Sequence, residues 1–472
     1  MRFQIIVYNM NKRVRVILVL VLLLVTLLLG LCACDKKESE GAVKVSYEVN
    51  CALDDGEKIM YVTTKINVRN DSNITITEIP LYLYPNAYLK YGGKIALGNV
   101  KDGNEDVKWE LDGINGVIKL NSPLLPGGNK ELTISSRISL PKGQKRLGYG
   151  EGYYNLHAFF PRIPYFDGER FVLVPYSNIG DPYCFSEDDF VIKIEYPAKY
   201  VIAHSGEKVS NDVKGEKVES VFKINGARDV SCWIGQAKSI YENDVDGVKI
   251  YSYQSSDIDY TEFIGNCLSY FSREIGKYPF NTFTLVETPF DYGGMEYSGF
   301  VVISDKVKNK ELVIAHEIIH QWFGLKVGSN SYDECWVDES LTNYLSYYYM
   351  DIYNKGGLKE NIEKEKERYR KYVEYAKYEY GLGYGLDIRR KLCEFKDESE
   401  YANLVYSYGA LMYDGVRAVV GDAKFKKAVR EYYERYAGSI ASGSDLIASF
   451  NKSSGRKVGG VFRSYMENRV SF

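Results

Sequence analysis

Two of the four histidines in this chain of 472 residues lie four positions apart, in the run His316-Glu317-Ile318-Ile319-His320. On a helix, residues i and i+4 share one face, so both imidazoles can reach the same metal ion. The glutamate between them then lies beside the metal, where it can take a proton from a metal-bound water. The run therefore predicts a zinc site with an adjacent general base. The alternative is an ordinary helix with two hydrogen-bonded core histidines.

A catalytic zinc usually has three protein ligands and keeps its fourth position for water. The third ligand must then come from another segment, and Glu339 is the candidate. It lies at the start of a second predicted helix, from Trp336 to about Tyr353, which follows a loop from Gly324 to Asp333. An antiparallel return of this helix would bring Glu339 against both histidines. The alternative is a surface glutamate in the first turn of a helix, where the helix dipole favours it.

The order of these residues, with 18 residues between His320 and Glu339, resembles the gluzincin signature of the aminopeptidase N and leukotriene hydrolase family. Residues 316–324 are similar to the family's HE-x-x-HQWFG, residues 336–339 to its W-L-N-E, and residues 293–297 to its G-x-M-E-N exopeptidase loop. Downstream, Tyr401-x4-Tyr406-x2-Gly409 resembles the segment that carries the family's transition-state tyrosine. By these motifs the resemblance covers about residues 246–420.

The resemblance implies one Zn²⁺ per chain and a set of site residues. The implied metal ligands are His316, His320 and Glu339, the implied catalytic residues are Glu317 and Tyr406, and the implied substrate-binding residues are Glu296, Gly293, Gly294 and Met295. Glu317 would act as general base and then general acid, and the Tyr406 hydroxyl would stabilise the oxyanion of the tetrahedral intermediate. Glu296 would bind the free α-amino group of a peptide.

Several neighbouring residues have open assignments. Tyr408 competes with Tyr406 for the oxyanion role, and Tyr401 is either a neighbour in the site or a packing residue. Asp338 is either a partner to a histidine ligand or an acid at a helix start. The two remaining histidines, at positions 157 and 204, are predicted to serve packing or surface roles.

The sequence also departs from the family pattern. Tyr297 replaces the usual asparagine of the exopeptidase loop, and residues 156–166 contain no acid where many relatives carry a Gln or Glu for the substrate amine. The chain ends 66 residues after Tyr406, where relatives commonly continue into a helical domain that covers the site. We therefore expect an open cleft that could admit longer peptides.

Residues 43–245 show the pattern of strands. Residues 43–49 alternate apolar and polar side chains, as a half-buried strand does, and similar runs follow at 60–68, 74–79, 131–140 and 190–196. Turn signals rich in glycine separate these runs. The pattern predicts an antiparallel β-sandwich or a saddle-shaped sheet.

After residue 246 the pattern becomes helical. Residues 257–276 have apolar side chains at spacings of three to four, two short strands follow at 282–287 and 299–304, and the chain beyond Lys308 is almost wholly helical. The predicted fold class is therefore α+β and multidomain. An N-terminal β domain at 43–245 precedes a mainly helical catalytic domain at 246–472, which the resemblance makes thermolysin-like.

The first residues resemble an export signal. Residues 1–33 hold four basic and no acidic side chains, and an uncharged run from 16 to 33 ends in Leu31-Cys32-Ala33-Cys34, which resembles a bacterial lipoprotein cleavage box. We expect a signal peptide at 1–33, lipidation of Cys34 and a polar tether at 34–42, so that the body lies outside the cell membrane. The alternative is an uncleaved signal anchor.

Composition and charge restrict the class of protein further. The chain has 60 basic against 63 acidic residues and 45% hydrophobic residues, which excludes a disordered chain and argues against a nucleic-acid binder. Loss of the leader leaves 56 basic against 63 acidic residues, a net charge of −7. Six cysteines remain after the tether begins, with no Cys-x-x-Cys, and buried free thiols are as plausible as disulfides.

The sequence as a whole predicts a zinc metallopeptidase that hydrolyses peptides by zinc-activated water, of the aminopeptidase type, on the outer side of the membrane. Two alternatives remain open at this point. One is a metallo-endopeptidase, and the other is a non-catalytic peptide-binding or scaffold lipoprotein on the same fold.

Overall fold

A computed structural model of the protein describes residues 42–354, 356–470 and 472. The predicted signal peptide, the predicted lipidation site Cys34 and the predicted tether up to residue 41 lie outside these residues. Within the described ranges, no helix is both long enough and apolar enough to cross a membrane.

The N-terminal part of the described chain consists of strands that form three sheets. In chain order, β1 to β15 are Val43–Asp54, Ile59–Asn70, Ile76–Tyr82, Lys94–Asp102, Glu105–Asp106, Lys108–Asp112, Asn115–Leu124, Asn129–Ser139, Leu147–Gly150, Tyr153–His157, Asp188–Pro197, Val201–His204, Glu207–Lys214, Lys217–Ala227 and Ser231–Gly235. The sheet orders are β13-β14-β11-β1-β2-β8-β4-β5, β12-β15-β10-β9 and β3-β7-β6. A 3₁₀ helix at Tyr84–Tyr91 follows β3.

The alternation that predicts these strands also fixes which face is buried. In β1 the side chains of Val43, Val45, Tyr47 and Val49 are buried, while alternate residues are more exposed. The predicted antiparallel sheet is confirmed except at one place, because β1 pairs with β11 in parallel. The connection from β1 to β11 contains β2 to β10, so it is far longer than the dozen or so residues that a parallel pair requires.

The C-terminal part is α-rich around one five-stranded sheet. Its strands are β16 Ser239–Val245, β17 Val248–Gln254, β18 Thr282–Thr288, β19 Gly294–Tyr297 and β20 Phe300–Ser304, in the order β16-β17-β18-β20-β19. A short parallel pair, β21 Phe323–Gly324 and β22 Val327–Gly328, follows. The predicted domain boundary between 245 and 246 falls inside the β16–β17 hairpin, and the division into domains stays a prediction.

Helices pack against this sheet and make up most of the chain that follows it. The α-helices are Thr261–Glu274, Lys310–Ile319, Trp336–Tyr353, Leu358–Tyr380, Glu398–Tyr401, Gly409–Val420, Asp422–Tyr436, Gly443–Ser454 and Gly459–Met466. A 3₁₀ turn lies at Leu392–Glu394 and a π-helix at Ala402–Tyr408. The predicted helix from Trp336 to about Tyr353 is confirmed, and it ends at Tyr353. The α+β fold class with an N-terminal β part is likewise confirmed.

The six cysteines in the described residues are all free thiols, five of them buried and Cys393 exposed. The sequence left the choice between thiols and disulfides open, and the fold places the buried ones within apolar cores. Burial raises the pKa of the Cys232 and Cys267 thiols, which keeps them protonated and unreactive.

Candidate active site

The helix Lys310–Ile319, here called the histidine helix, carries the first half of the predicted metal site. Asn309 caps its N-terminus by accepting a hydrogen bond from the Leu312 N–H at 3.4 Å. His316 lies in its last turn. His320 follows directly after the helix, where its N–H donates to the His316 carbonyl at 3.3 Å, so both imidazoles lie on one face.

The helix Trp336–Tyr353, here called the glutamate helix, packs against the histidine helix and supplies the third predicted ligand from its first turn. One carboxylate oxygen of Glu339, Oε2, lies 3.2 Å from Nε2 of His316 and 3.2 Å from Nε2 of His320. The two imidazole nitrogens are 3.1 Å apart. Three ligand atoms from two helices therefore converge on one point.

These distances fit a zinc ion. A tetrahedron with bonds of about 2.0–2.1 Å places neighbouring ligand atoms about 3.3 Å apart, and two histidines with one glutamate are a ligand set of catalytic zinc sites. His320 is oriented for this role because its Nδ1 lies 3.0 Å from the Phe323 carbonyl oxygen, which leaves Nε2 free for the metal.

Asp338 forms no hydrogen bond with either ligand histidine, and its carboxylate contacts the preceding loop instead. Its Oδ2 accepts hydrogen bonds from Ser329 at 2.5 Å and Ser331 at 2.8 Å, and its Oδ1 accepts from the Glu339 N–H at 2.8 Å. The carboxylate thus holds the loop before the glutamate helix against the first turn of that helix. It supports Glu339 through the backbone.

Glu317 and Glu296 lie beside the ligand cluster and line the same cleft. Together with His320 they form a second group whose ligand atoms all lie within 4.8 Å of one another. Residues 293–297 were predicted as a loop, and this prediction is wrong for Gly294–Tyr297. They form the edge strand β19, because Glu296 and Met295 pair antiparallel with β20.

Gly294 is glycine for a steric reason. A Cβ at this position would lie 2.3 Å from the Glu317 carboxylate, so only a residue without a side chain lets the edge strand approach the general-base candidate. Gly293 precedes the strand, and its carbonyl accepts from the Ser304 N–H at 3.0 Å. The Met295 side chain is buried, with its sulfur 3.0 Å from Nε of Arg146.

Burial and crowding of carboxylates set the electrostatics of the cleft. Burial raises the pKa of Glu317 to about 8, and the nearby charges of Glu339 and Asp181 act in the same direction. Burial likewise raises the pKa of Glu296 well above its ordinary value. Burial also opposes ionisation of Glu339, but the two imidazoles outweigh it and hold its pKa well below the usual range. A cation among these carboxylates would stabilise their charged forms.

The structure shows which of the three candidate tyrosines line the cleft. The Tyr406 ring lies against His316, with ring centroids 5.7 Å apart, and it lines the cleft. Tyr408 points away, because its hydroxyl donates to the Tyr465 carbonyl at 3.0 Å in the core. Tyr401 also lines the cleft and packs edge-on against Tyr406 at 5.6 Å.

Tyr406 lies in the π-helix Ala402–Tyr408, a conformation that is frequent at functional sites. The glutamate helix holds this segment by two side-chain hydrogen bonds. Ser340 Oγ donates to the Val405 carbonyl at 2.6 Å, and Asn343 Nδ2 donates to the Tyr406 carbonyl at 3.0 Å. The helix that carries Glu339 therefore also positions Tyr406.

Two charged residues of the β-rich part reach the cleft, and no spacing in the sequence points to them. Arg146 and Asp181 line it, and the Arg146 guanidinium forms an ion pair with the Asp181 carboxylate and donates to the Gly180 carbonyl at 3.1 Å. Burial raises the pKa of Asp181 above its ordinary value. An acidic side chain of the β-rich part therefore reaches the cleft from the irregular segment before β11, outside residues 156–166.

Tyr297, which replaces the usual asparagine, takes no part in the cleft. Its side chain is buried and stacks on His157, with ring centroids 4.3 Å apart. The cleft itself has a volume of about 440 Å³ and is lined by the predicted residues Gly293, Gly294, Met295, Glu296, His316, Glu317, Glu339 and Tyr406. Its size and its converging polar groups are those of a ligand site.

The chain is similar to known peptidases in sequence and in fold. Residues 261–465 match the family model described as the Peptidase family M1 domain, and this range contains every predicted ligand, catalytic and substrate-binding residue. The chain is 30% identical over 202 residues to Probable aminopeptidase 1 of Sulfurisphaera tokodaii, which is 39% of this chain and 24% of that protein. It is 23% identical over 218 residues to Aminopeptidase N of Lactococcus lactis, 40% and 24% of the respective lengths.

The match to Tricorn protease-interacting factor F2 of Thermoplasma volcanium is 26% identity over 167 residues, 34% of this chain and 20% of that protein. The matched part thus spans only about a quarter or less of these curated relatives. A solved structure, the M1 zinc metallopeptidase from Deinococcus radiodurans, is 17% identical with a TM-score of 0.69, and the alignment covers 91% of this chain and 95% of that one. A fold similar to that of most of this chain is therefore found in a solved protein.

Proposed function

Because residues 261–465 of this chain match the model of the Peptidase family M1 domain, we propose that the protein is a zinc-dependent aminopeptidase. The observation that carries the proposal is the convergence of His316, His320 and Glu339 within 3.2 Å of one another, directly beside Glu317 and Glu296 in one cleft. Three ligands, a base and an amine-binding carboxylate are what cleavage after the first residue of a peptide requires.

His316, His320 and Glu339 hold the zinc ion in this proposal. When bound, zinc polarises the scissile carbonyl and lowers the pKa of its water ligand to about 7. Glu317 accepts the proton of the attacking water and returns it to the leaving amine, and its buried position in the cleft suits both steps. No covalent bond between enzyme and substrate forms.

Glu296 binds the α-ammonium group of the substrate. It is carried by the edge strand β19, whose free side can pair with an extended peptide, so the strand and the carboxylate together fix where the peptide starts. Asp181 adds a second carboxylate to the same cleft, where Arg146 holds it in place. Two carboxylates opposite one ammonium group favour a free N-terminus over a blocked one.

The Tyr406 hydroxyl donates a hydrogen bond to the oxyanion that develops at the scissile carbonyl. Its pKa lies well above the ordinary value, because the ring is buried and Glu339 is close, so the hydroxyl keeps its proton at neutral pH. A protonated phenol beside the metal ligands is a suitable donor for such a charge.

The location of the protein is part of the proposal. The basic leader and the box that ends at Cys34 support an exported protein held at the outer face of the cell membrane by a lipid. Cys34→Ala should prevent lipidation and release the body of the protein from the membrane fraction. If a full-length Cys34→Ala chain still partitions with membranes, an uncleaved signal anchor replaces the lipid anchor.

One comparison of substrates tests the activity. The zinc-loaded protein is incubated with a single peptide whose N-terminus is either free or acetylated, and the products are identified by mass spectrometry. Release of the first residue from the free peptide alone is the expected result. Internal cleavage of both forms would make the protein an endopeptidase, and one bound zinc without hydrolysis of either form would make it a scaffold.

A further inference from the structure

The turn that follows the amine-binding strand is held by side chains from two other parts of the chain. Strands β19 and β20 form a hairpin in which Tyr297 pairs with Phe300, so only Ser298 and Gly299 make the turn. Gly299 has a φ of +66°, the left-handed backbone that such a tight turn needs.

The register of β19 depends on this turn. The strand has four residues, and its only neighbour in the sheet is β20. A slip of one residue would move Glu296 to the opposite face of the sheet. Because the strand is so short, its own ladder offers little resistance to such a slip, and contacts at the turn matter more.

Gln321 links this turn to the metal site. It directly follows the ligand His320, is fully buried, and uses both ends of its amide on the turn. Its Nε2 donates to the Tyr297 carbonyl at 3.1 Å, and its Oε1 accepts from the Gly299 N–H at 2.9 Å. One side chain therefore couples the position of the amine-binding strand to the position of a metal ligand.

Asp229 holds the same turn from the β-rich part. Its Oδ1 accepts from the Ser298 N–H at 2.7 Å, and its own N–H donates to the Ser298 hydroxyl at 3.4 Å. Both residues are buried. The two backbone N–H groups of the turn, of Ser298 and Gly299, thus each donate to a buried side chain, and the Gly299 carbonyl accepts from the Thr284 N–H of β18 at 3.0 Å.

Arg228, the residue before Asp229, binds the chain that follows His320. Its guanidinium donates to the carbonyl of Leu325, to that of Phe185 at 2.7 Å and to that of Ser439 at 2.8 Å. Two consecutive residues of the β-rich part therefore contact both segments that carry site residues. Asp229 binds the turn between β19 and β20, and Arg228 binds the chain beyond His320.

We propose that Gln321 and Asp229 are positioning residues, which fix the distance between Glu296 and the metal ligands and thereby confine cleavage to the first peptide bond. The inference rests on the proposed aminopeptidase function. Misplacement of a reacting group by about 1 Å can cost about 100-fold in rate, so small shifts of this turn would be measurable.

Three variants test the inference. Gln321→Met keeps the size of the side chain but removes both hydrogen bonds to the turn. Asp229→Ala removes the acceptor for the Ser298 N–H, whereas Asp229→Asn keeps an oxygen in that place. The matched control is Gln254→Met, since Gln254 is fully buried in the same sheet and donates to Ser252 at 2.6 Å, away from the turn.

The measured quantities are zinc per chain, kcat and KM for a free peptide, and the ratio of cleavage rates for free and acetylated peptide. We expect Gln321→Met and Asp229→Ala to keep one zinc, to raise KM about tenfold and to lower the rate ratio. Asp229→Asn should behave like wild type, and Gln254→Met should lower the melting temperature without changing KM or the ratio.

The inference is overturned if Gln321→Met and Asp229→Ala lose only thermal stability, as the control does. Hydrogen exchange of the wild type gives a test that needs no variant, because the Ser298 and Gly299 amides should be protected, and exchange within seconds would contradict the proposed contacts. A wild type that cleaves no free peptide would refute the proposed function itself, and it is therefore assayed first.

Discussion

Two pairs of histidines lie in this protein, and burial does not distinguish them. His316 and His320 lie at the cleft, while His157 and His204 lie in the β-rich part, and all four are largely shielded from solvent. At the cleft, the two Nε2 atoms meet each other and Glu339 Oε2 within 3.2 Å. What marks a functional pair is this convergence of ligand atoms.

The other pair serves the core. His157 stacks on Tyr297 at 4.3 Å, and His204 stacks on Phe222 at 4.4 Å. Burial lowers the pKa of His157 well below its ordinary value and that of His204 to about 4, so both rings are neutral near pH 7. Both rings pack on aromatic side chains, and His204 Nδ1 also lies 3.1 Å from the Ser205 carbonyl oxygen. This arrangement agrees with the prediction that the two residues serve packing or surface roles.

Removal of a ligand should produce the largest difference between the two pairs. Loss of a partner outside the ligand set already weakens metal binding about 10–100-fold, so His316→Ala should weaken zinc binding by more than about 100-fold and abolish hydrolysis. The matched variants His157→Gln and His204→Gln should keep one zinc per chain. Zinc content after gel filtration decides the question, and equal zinc loss in all three variants would contradict the comparison.

Glu317→Gln should separate metal binding from chemistry within the cleft. The amide cannot accept a proton from water, so kcat should fall about 10²–10⁴-fold while one zinc per chain remains bound. Glu311→Gln, on the same helix but away from the ligand cluster, is the control and should retain wild-type kcat. Substantial turnover by Glu317→Gln would mean that another group acts as the base.

The tyrosines provide a smaller test of the same distinction between cleft and core. Tyr406→Phe removes a donor beside His316, and loss of one oxyanion donor should lower kcat about 10²–10³-fold. Tyr408→Phe removes a core hydrogen bond to the Tyr465 carbonyl, which should cost about 1 kcal/mol of unfolding free energy and leave kcat intact. The reverse result would assign the oxyanion role to Tyr408.

The parts of the site that lie close together in sequence could be predicted from it. Helical periodicity alone places His316 and His320 on one face. The glutamate helix ends just before two glycines, which is why its extent from Trp336 to about Tyr353 could be predicted. Spacing alone does not show whether Glu339 is a metal ligand or an acid at the start of a helix. The resemblance of the motifs favours the metal ligand.

The contributions of the β-rich part could not be predicted. Arg146, Asp181 and Asp229 reach the site from three separate segments: Arg146 directly precedes β9, Asp181 lies on the irregular segment before β11, and Asp229 lies between β14 and β15. No local pattern encodes such long-range contacts. The edge strand Gly294–Tyr297 was missed for a related reason, since four residues with a glycine carry too little alternation to predict a strand.

The smallest expected effect is a change in the free energy of unfolding with pH that comes from His204, one of the two core histidines. Its pKa is about 4 in the folded protein against an ordinary value of 6.5, because burial disfavours the charged ring. The folded state therefore binds fewer protons than the unfolded state between these values. The stability that comes from the neutral ring is fully present above pH 6.5 and is lost as the pH falls towards 4. The glutamine side chain of the variant His204→Gln cannot titrate, so the wild type should lose about 2 kcal/mol of unfolding free energy relative to this variant between pH 7 and pH 4.5.

Urea unfolding of both proteins at several pH values measures the difference, with a chelator present throughout so that zinc release at the cleft does not contribute. Parallel pH profiles for the two proteins would show that His204 titrates near 6.5 in the folded state, and its ring would then be better solvated than its stacking on Phe222 indicates.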